Sequence, residues 1–132
     1  MDVEGESAPS LDPDPAVPTL DLSVLQRFVE QLGDDGWDVV REIIDVFLQD
    51  VPKMLAELRG AADASDARTV DRSAHTLKSS SASLGGLAMA RMCADLEARA
   101  HGGSLDGAVE SVERIGQEYE RLRDALSEAR PR

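Results

Sequence analysis

What most constrains this chain is a helical hydrophobic period that recurs in five segments and is interrupted each time by glycine or serine. Leu22, Leu25, Phe28, Val29 and Leu32 open the series and Gly33 closes it. That spacing predicts a short first helix from about Leu20 to Leu32 with Asp21 as its cap. A second helix is expected after Gly36 and on to about Ala62, with Val39, Val40, Ile43, Ile44, Phe47, Val51, Met54, Leu55 and Leu58 as its apolar positions, three and four apart. Pro52 falls inside it and predicts a kink near Phe47 and Leu48, or a break. Ser65 is the expected cap of a third helix that ends at Gly85 and Gly86, with Ala67, Val70, Ala74, Leu77, Ser81 and Leu84 spaced three and four apart. Leu87, Ala90, Cys93, Leu96 and Ala100 define a fourth helix, closed by Gly102 and Gly103. Ser104 is the expected cap of the fifth, which carries Leu105, Ala108, Val112, Ile115, Tyr119, Leu122 and Leu126. Short connections make successive helices antiparallel neighbours. The predicted fold is all-α: an antiparallel up-down four-helix bundle with an additional short N-terminal helix over one end.

Composition supports helix over sheet. Trp37, Tyr119, Phe28 and Phe47 are the only aromatic residues among 132, and strands depend on aromatic and β-branched side chains. The length suits one domain. Residues 1–19 hold four prolines, five acidic residues and neither lysine nor arginine, so they are expected to form a disordered acidic arm ahead of a domain at 20–130. A formal charge of −12 repels nucleic acid and anionic lipid. No apolar run is long enough to span a membrane, and the N-terminal stretch lacks the layout of a secretory signal. A cytoplasmic protein is therefore expected. The lone cysteine, Cys93, allows no internal disulfide and falls on a core stripe.

The chemistry is expected between His75 and Gly86. Ala74 and Leu77 lie on the buried stripe, and His75, turned about 100° from Ala74, stands at its edge toward solvent. Lys78 and Ser79, three and four residues on, share its face, and Ala82 continues that face. An imidazole that accepts phosphate must be exposed, neutral at one ring nitrogen and free of bulky neighbours, with a cation for the transferring oxygens. His75 meets these needs, with Lys78 as the cation and Ser79 and Ala82 as small neighbours.

The run His75-Thr76-Leu77-Lys78, followed by Ser80, Ser81, Leu84 and Gly85, resembles the signature of the histidine-containing phosphotransfer (HPt) family. Phe47 to Pro52 with Leu55 and Leu58 resembles that family's second bundle helix, and Leu87 through Leu96 and Glu97 resembles the helix after the active one. The resemblance spans roughly residues 20 to 126. It implies that His75 takes a phosphoryl group from the aspartyl phosphate of one receiver domain and passes it to the aspartate of another. The implied partners are receiver domains of response regulators or of a hybrid histidine kinase, and the Mg²⁺ belongs to the receiver. Ser79 stands where the family usually has glycine. Its small side chain preserves access to the ring, and its hydroxyl can hydrogen-bond a phosphoryl oxygen.

Other readings fare worse. No Gly-rich phosphate loop followed by lysine is present, so no nucleotide site or autokinase activity is expected, and no cofactor. A di-metal carboxylate bundle needs glutamate three residues before histidine on two helices, but Arg72 and Ala98 occupy those positions, so no metal is expected. His101, at a helix end, is expected to serve the helix dipole, and Asp71 and Arg72 are expected to be solvated charges. The remaining rival is an adaptor of the same fold that docks a receiver without moving phosphate, against which an intact His75 argues. A carrier that visits two partners is expected to be a monomer.

Overall fold

The computed structural model describes residues 14–129. Five α-helices follow one another: α1 (Leu22–Gln31), α2 (Gly36–Asp63), α3 (Ala67–Ser83), α4 (Leu87–His101) and α5 (Ala108–Ala129). A single 3₁₀ turn, Gly33–Asp35, joins α1 to α2, and no strand occurs among the described residues. The four long helices form the bundle around one core of Val40, Ile44, Leu58, Leu77, Leu96, Ile115 and Leu122 with their neighbours. Leu25 anchors α1 to that core.

Residues 1–13 of the expected arm lie outside the described residues. The segment just before α1 is tied to the bundle: the Ala88 amide donates to the Pro18 carbonyl at 3.0 Å, and the Asp21 amide to that of Gly85 at 2.8 Å. Asp21 caps α1 as expected, its carboxylate accepting from the Ser23 amide at 3.0 Å.

Two expected helix starts are corrected. Asp66, not Ser65, caps α3, accepting from the Thr69 amide at 3.2 Å. Ser65 instead takes a left-handed turn conformation at φ 56°. The fifth helix starts at Ala108, so Ser104 does not cap it and Leu105 lies in the preceding turn. The stripe from Ala108 to Leu126 is buried as the spacing required.

Pro52 does not break α2, which runs continuously from Gly36 to Asp63. Proline lacks the amide that would bond the carbonyl four residues earlier, that of Leu48. Tyr119 of α5 replaces that donor, its hydroxyl reaching the Leu48 carbonyl at 3.3 Å.

α3 and α4 are the most closely associated pair of helices. Their buried faces are built partly of small side chains, Ala74 and Ser81 on α3 and Ala90, Cys93 and Ala100 on α4. Ser81 satisfies its buried hydroxyl on its own helix, donating to the Leu77 carbonyl at 2.6 Å. The turn between them needs glycine twice. Gly85 has φ +86°, and a Cβ there would stand 2.6 Å from the Asp21 carbonyl oxygen; a Cβ on Gly86 would stand 2.5 Å from Leu122 Cδ2. This tight reversal fixes which residues of α3 and α4 face one another.

Candidate functional site

Helix α3 turns Ala74 and Leu77 fully into the core and thereby carries His75 out of it. The side chain of His75 is 59% exposed. No other segment among the described residues covers it, as the angular argument from Ala74 required.

His75 lies eleven positions before Gly86, and Glu97 eleven positions after it. In an antiparallel pair reversing there, the two residues meet. His75 Nδ1 lies 2.7 Å from Glu97 Oε2, and Lys78 Nζ lies 2.6 Å from the other oxygen, Oε1. Glu97 thus bridges the imidazole and the ammonium, and it is the least exposed of the three at 19%. The Lys78 ammonium, and after it the His75 ring, hold the Glu97 carboxyl below the usual carboxylate range against the opposing effect of partial burial. An ionised Glu97 accepts from Nδ1–H. That fixes the tautomer and leaves the lone pair on Nε2.

Sequence reasoning placed Lys78 beside His75 but missed that its ammonium is held by Glu97. The signal lay in the equal spacing of His75 and Glu97 about the double glycine, which becomes readable only once the turn is known to be centred there. Ser79 is exposed one turn beyond His75, and its backbone carbonyl accepts the Ser83 hydroxyl at 2.9 Å. Lys78 meets the same Glu97 carboxylate as the His75 ring. His101, expected to serve the helix dipole, and Asp71, expected to be a solvated charge, are brought together: His101 Nδ1 lies 3.1 Å from Asp71 Oδ2.

Among the described residues no group of three or more His, Cys, Asp or Glu side chains could hold a metal ion, and no helix is long and apolar enough to cross a membrane. Cys93 is fully buried, and burial pushes its thiol up to about 12, so it is no nucleophile at neutral pH.

A helical bundle that presents an exposed imidazole held by a carboxylate, beside a lysine, suits a class of protein that carries phosphoryl groups on histidine. A family model described as Hpt domain matches residues 42–125, and the chain belongs to that family. It is 28% identical to histidine-containing phosphotransfer protein 2 of Arabidopsis thaliana over 104 residues, 76% of this chain and 67% of the relative. The crystal structure of histidine-containing phosphotransfer protein B (HptB) from Pseudomonas aeruginosa PAO1 superposes with a TM-score of 0.76 at 29% identity, covering 86% of this chain and 95% of that one. The function of the chain is histidine phosphotransfer in a phosphorelay, in which Hpt domains work with receiver domains and kinases.

Proposed function

We propose that His75 is the phosphoacceptor and that it shuttles the group between the aspartates of two receiver domains. The observation that carries this reading is the exposed ring whose Nδ1 is engaged by Glu97 at 2.7 Å. Nε2 attacks the phosphorus of an aspartyl phosphate. The Nε2–P bond forms, the P–O bond to the aspartyl oxygen breaks, and the carboxylate leaves with the bonding electrons. The ring becomes an imidazolium that keeps its Nδ1 proton, and Glu97 balances the new positive charge. Delivery to the second receiver reverses these events, with the receiver's Mg²⁺ neutralising the charge at its own aspartate.

Lys78 serves the phosphoryl oxygens. It sits one turn from His75, and its ammonium has only to exchange a Glu97 oxygen for a phosphoryl oxygen. Ser79 keeps approach to the ring open and offers a hydroxyl to the same oxygens. The chain acts as a monomeric cytoplasmic carrier without kinase activity of its own, its domain at 20–130 following an acidic arm at 1–19.

Receivers dock on α3 and on the flank of α2 beside it. Glu57 marks that flank by accepting the Ser73 hydroxyl at 3.3 Å. Val39, Val46 and Asp50 share it at helical spacing, and Val39 and Val46 are among the most exposed large apolar side chains.

Incubation with a phosphorylated receiver domain is expected to label the chain with acid-labile, base-stable phosphate, and His75→Gln to remove the label. A label of unchanged size on the His75→Gln protein refutes the assignment.

A further inference from the structure

Asp71 and His101 repeat, one helical turn away, the pairing of His75 with Glu97. Asp71 precedes His75 by four residues on α3, and His101 follows Glu97 by four on α4. The two cross-helix pairs therefore stand side by side on one face. They differ in their cations. Glu97 is matched by the ammonium of Lys78 at 2.6 Å. Asp71 is matched by an imidazole, charged only when protonated.

We propose that the net charge of the Asp71–His101 pair sets how far the phosphoryl equilibrium lies toward His75. The proposal rests on His75 as the phosphoacceptor. In that step the Nε2–P bond forms as the aspartyl P–O bond breaks, and no proton moves, so His75 gains one net negative charge: two on the phosphoryl oxygens, offset by the positive charge on the ring. Residues four apart on a helix hold their Cβ atoms about 5–6 Å apart, so a bare Asp71 carboxylate opposes the arriving anion. A protonated His101 cancels that opposition, and a neutral one leaves it. The pair thereby tunes the stability of phosphohistidine without touching the reacting atoms, which makes both its members positioning residues. Arg68 and Arg72 on α3, Arg99 on α4 and Glu57 on α2 are fixed charges of the surrounding helices and stay constant across the test.

That test is a charge series in the full chain at low ionic strength. His101→Gln leaves the pair negative. His101→Lys makes it neutral with an ion pair available, and Asp71→Asn with His101→Gln makes it neutral with none. Asp71→Asn with His101→Lys makes it positive. NMR titration of the His75 ring needs no partner, and its midpoint is expected to fall by a few tenths of a pH unit for each positive step in the series. The chain is then loaded with phosphoramidate and equilibrated with a receiver domain and Mg²⁺. The ratio of phosphohistidine to phosphoaspartate is expected to rise by roughly two- to three-fold per step, less at high salt.

Agreement between the two neutral variants, one with an ion pair available and one without, supports the proposal. If the three variants that lack the bridge shift together, whatever their charge, the pair is a structural staple and the proposal is overturned. A flat titration overturns it alone; an ordered titration with no phosphoryl group on His75 overturns the phosphoacceptor reading and the proposal with it.

Discussion

Glu97 is the residue that turns an exposed histidine into an oriented one. Surface ion pairs are ordinarily weak, but here a single carboxylate spans two donors from α3 at 2.7 and 2.6 Å, and each bond restrains the other. Lys78→Ala is expected to slow phosphotransfer by roughly ten- to a hundred-fold with unchanged helicity, on the scale of losing one positioned electrostatic group; an unchanged single-turnover rate removes Lys78 from the chemistry. Glu97→Gln keeps an acceptor for Nδ1–H but loses the charge that balances the imidazolium. It also gives a pH signature. The Glu97 carboxyl lies below its ordinary value of 4.5 in the folded chain, so its contribution to stability is fully present above that value and fades as pH falls through the lower folded-state value. The gap in urea midpoint between wild type and Glu97→Gln should therefore be present at neutral pH and close in strong acid, and a gap that persists there contradicts the ionic account. Sequence alone made His75 and Lys78 legible because both lie on one helix at fixed spacing. Glu97 was not legible, because its partnership depends on the register between two helices.

At the scale of the helices, periodicity and glycine punctuation disclosed all five segments, since burying a stripe and ending a helix are local demands. The starts of α3 and α5 were misjudged for a local reason too. Ser65 and Asp66 are both competent caps, and the choice falls to the one whose carboxylate reaches the Thr69 amide. The persistence of α2 through Pro52 could not be read locally at all, because the compensating donor, Tyr119, lies 71 residues away. Tyr119→Phe is expected to cost about 1–2 kcal/mol by leaving the Leu48 carbonyl without that donor. In a Pro52→Ala background, where an amide at position 52 can bond the same carbonyl, the cost should shrink. Urea denaturation of the four proteins in this double-mutant cycle measures the coupling, and equal costs in both backgrounds would show that the hydroxyl does not stand in for the missing amide.

Over the whole molecule, the bundle separates its tasks by face. The core-facing stripes hold α3 and α4 in a register set at Gly85 and Gly86, and the outward face of α3 displays His75 between the α2 flank and α4. The α2 flank carries exposed apolar side chains, Val46 at 54% and Val39 at 38%, and α1 carries Leu22 at 50%. Beside the C-terminal end of α3, Ser83 joins Val24, Arg27, Phe28 and Gln31 in lining an open groove, so α1 extends the same surface. On the proposed docking geometry a receiver resting on α3 would cover this apolar rim, and the contact would supply binding without taking part in bond making. Small donors such as phosphoramidate need no such surface. Val46→Glu is therefore expected to raise KM for a phosphorylated receiver about ten-fold, the scale of losing one buried apolar contact and adding an unmatched charge, while leaving the thermal midpoint and the rate of labelling by phosphoramidate unchanged. Equal loss of both labelling reactions would place Val46 in the folding of the site, and loss of neither would move the docking surface away from α2.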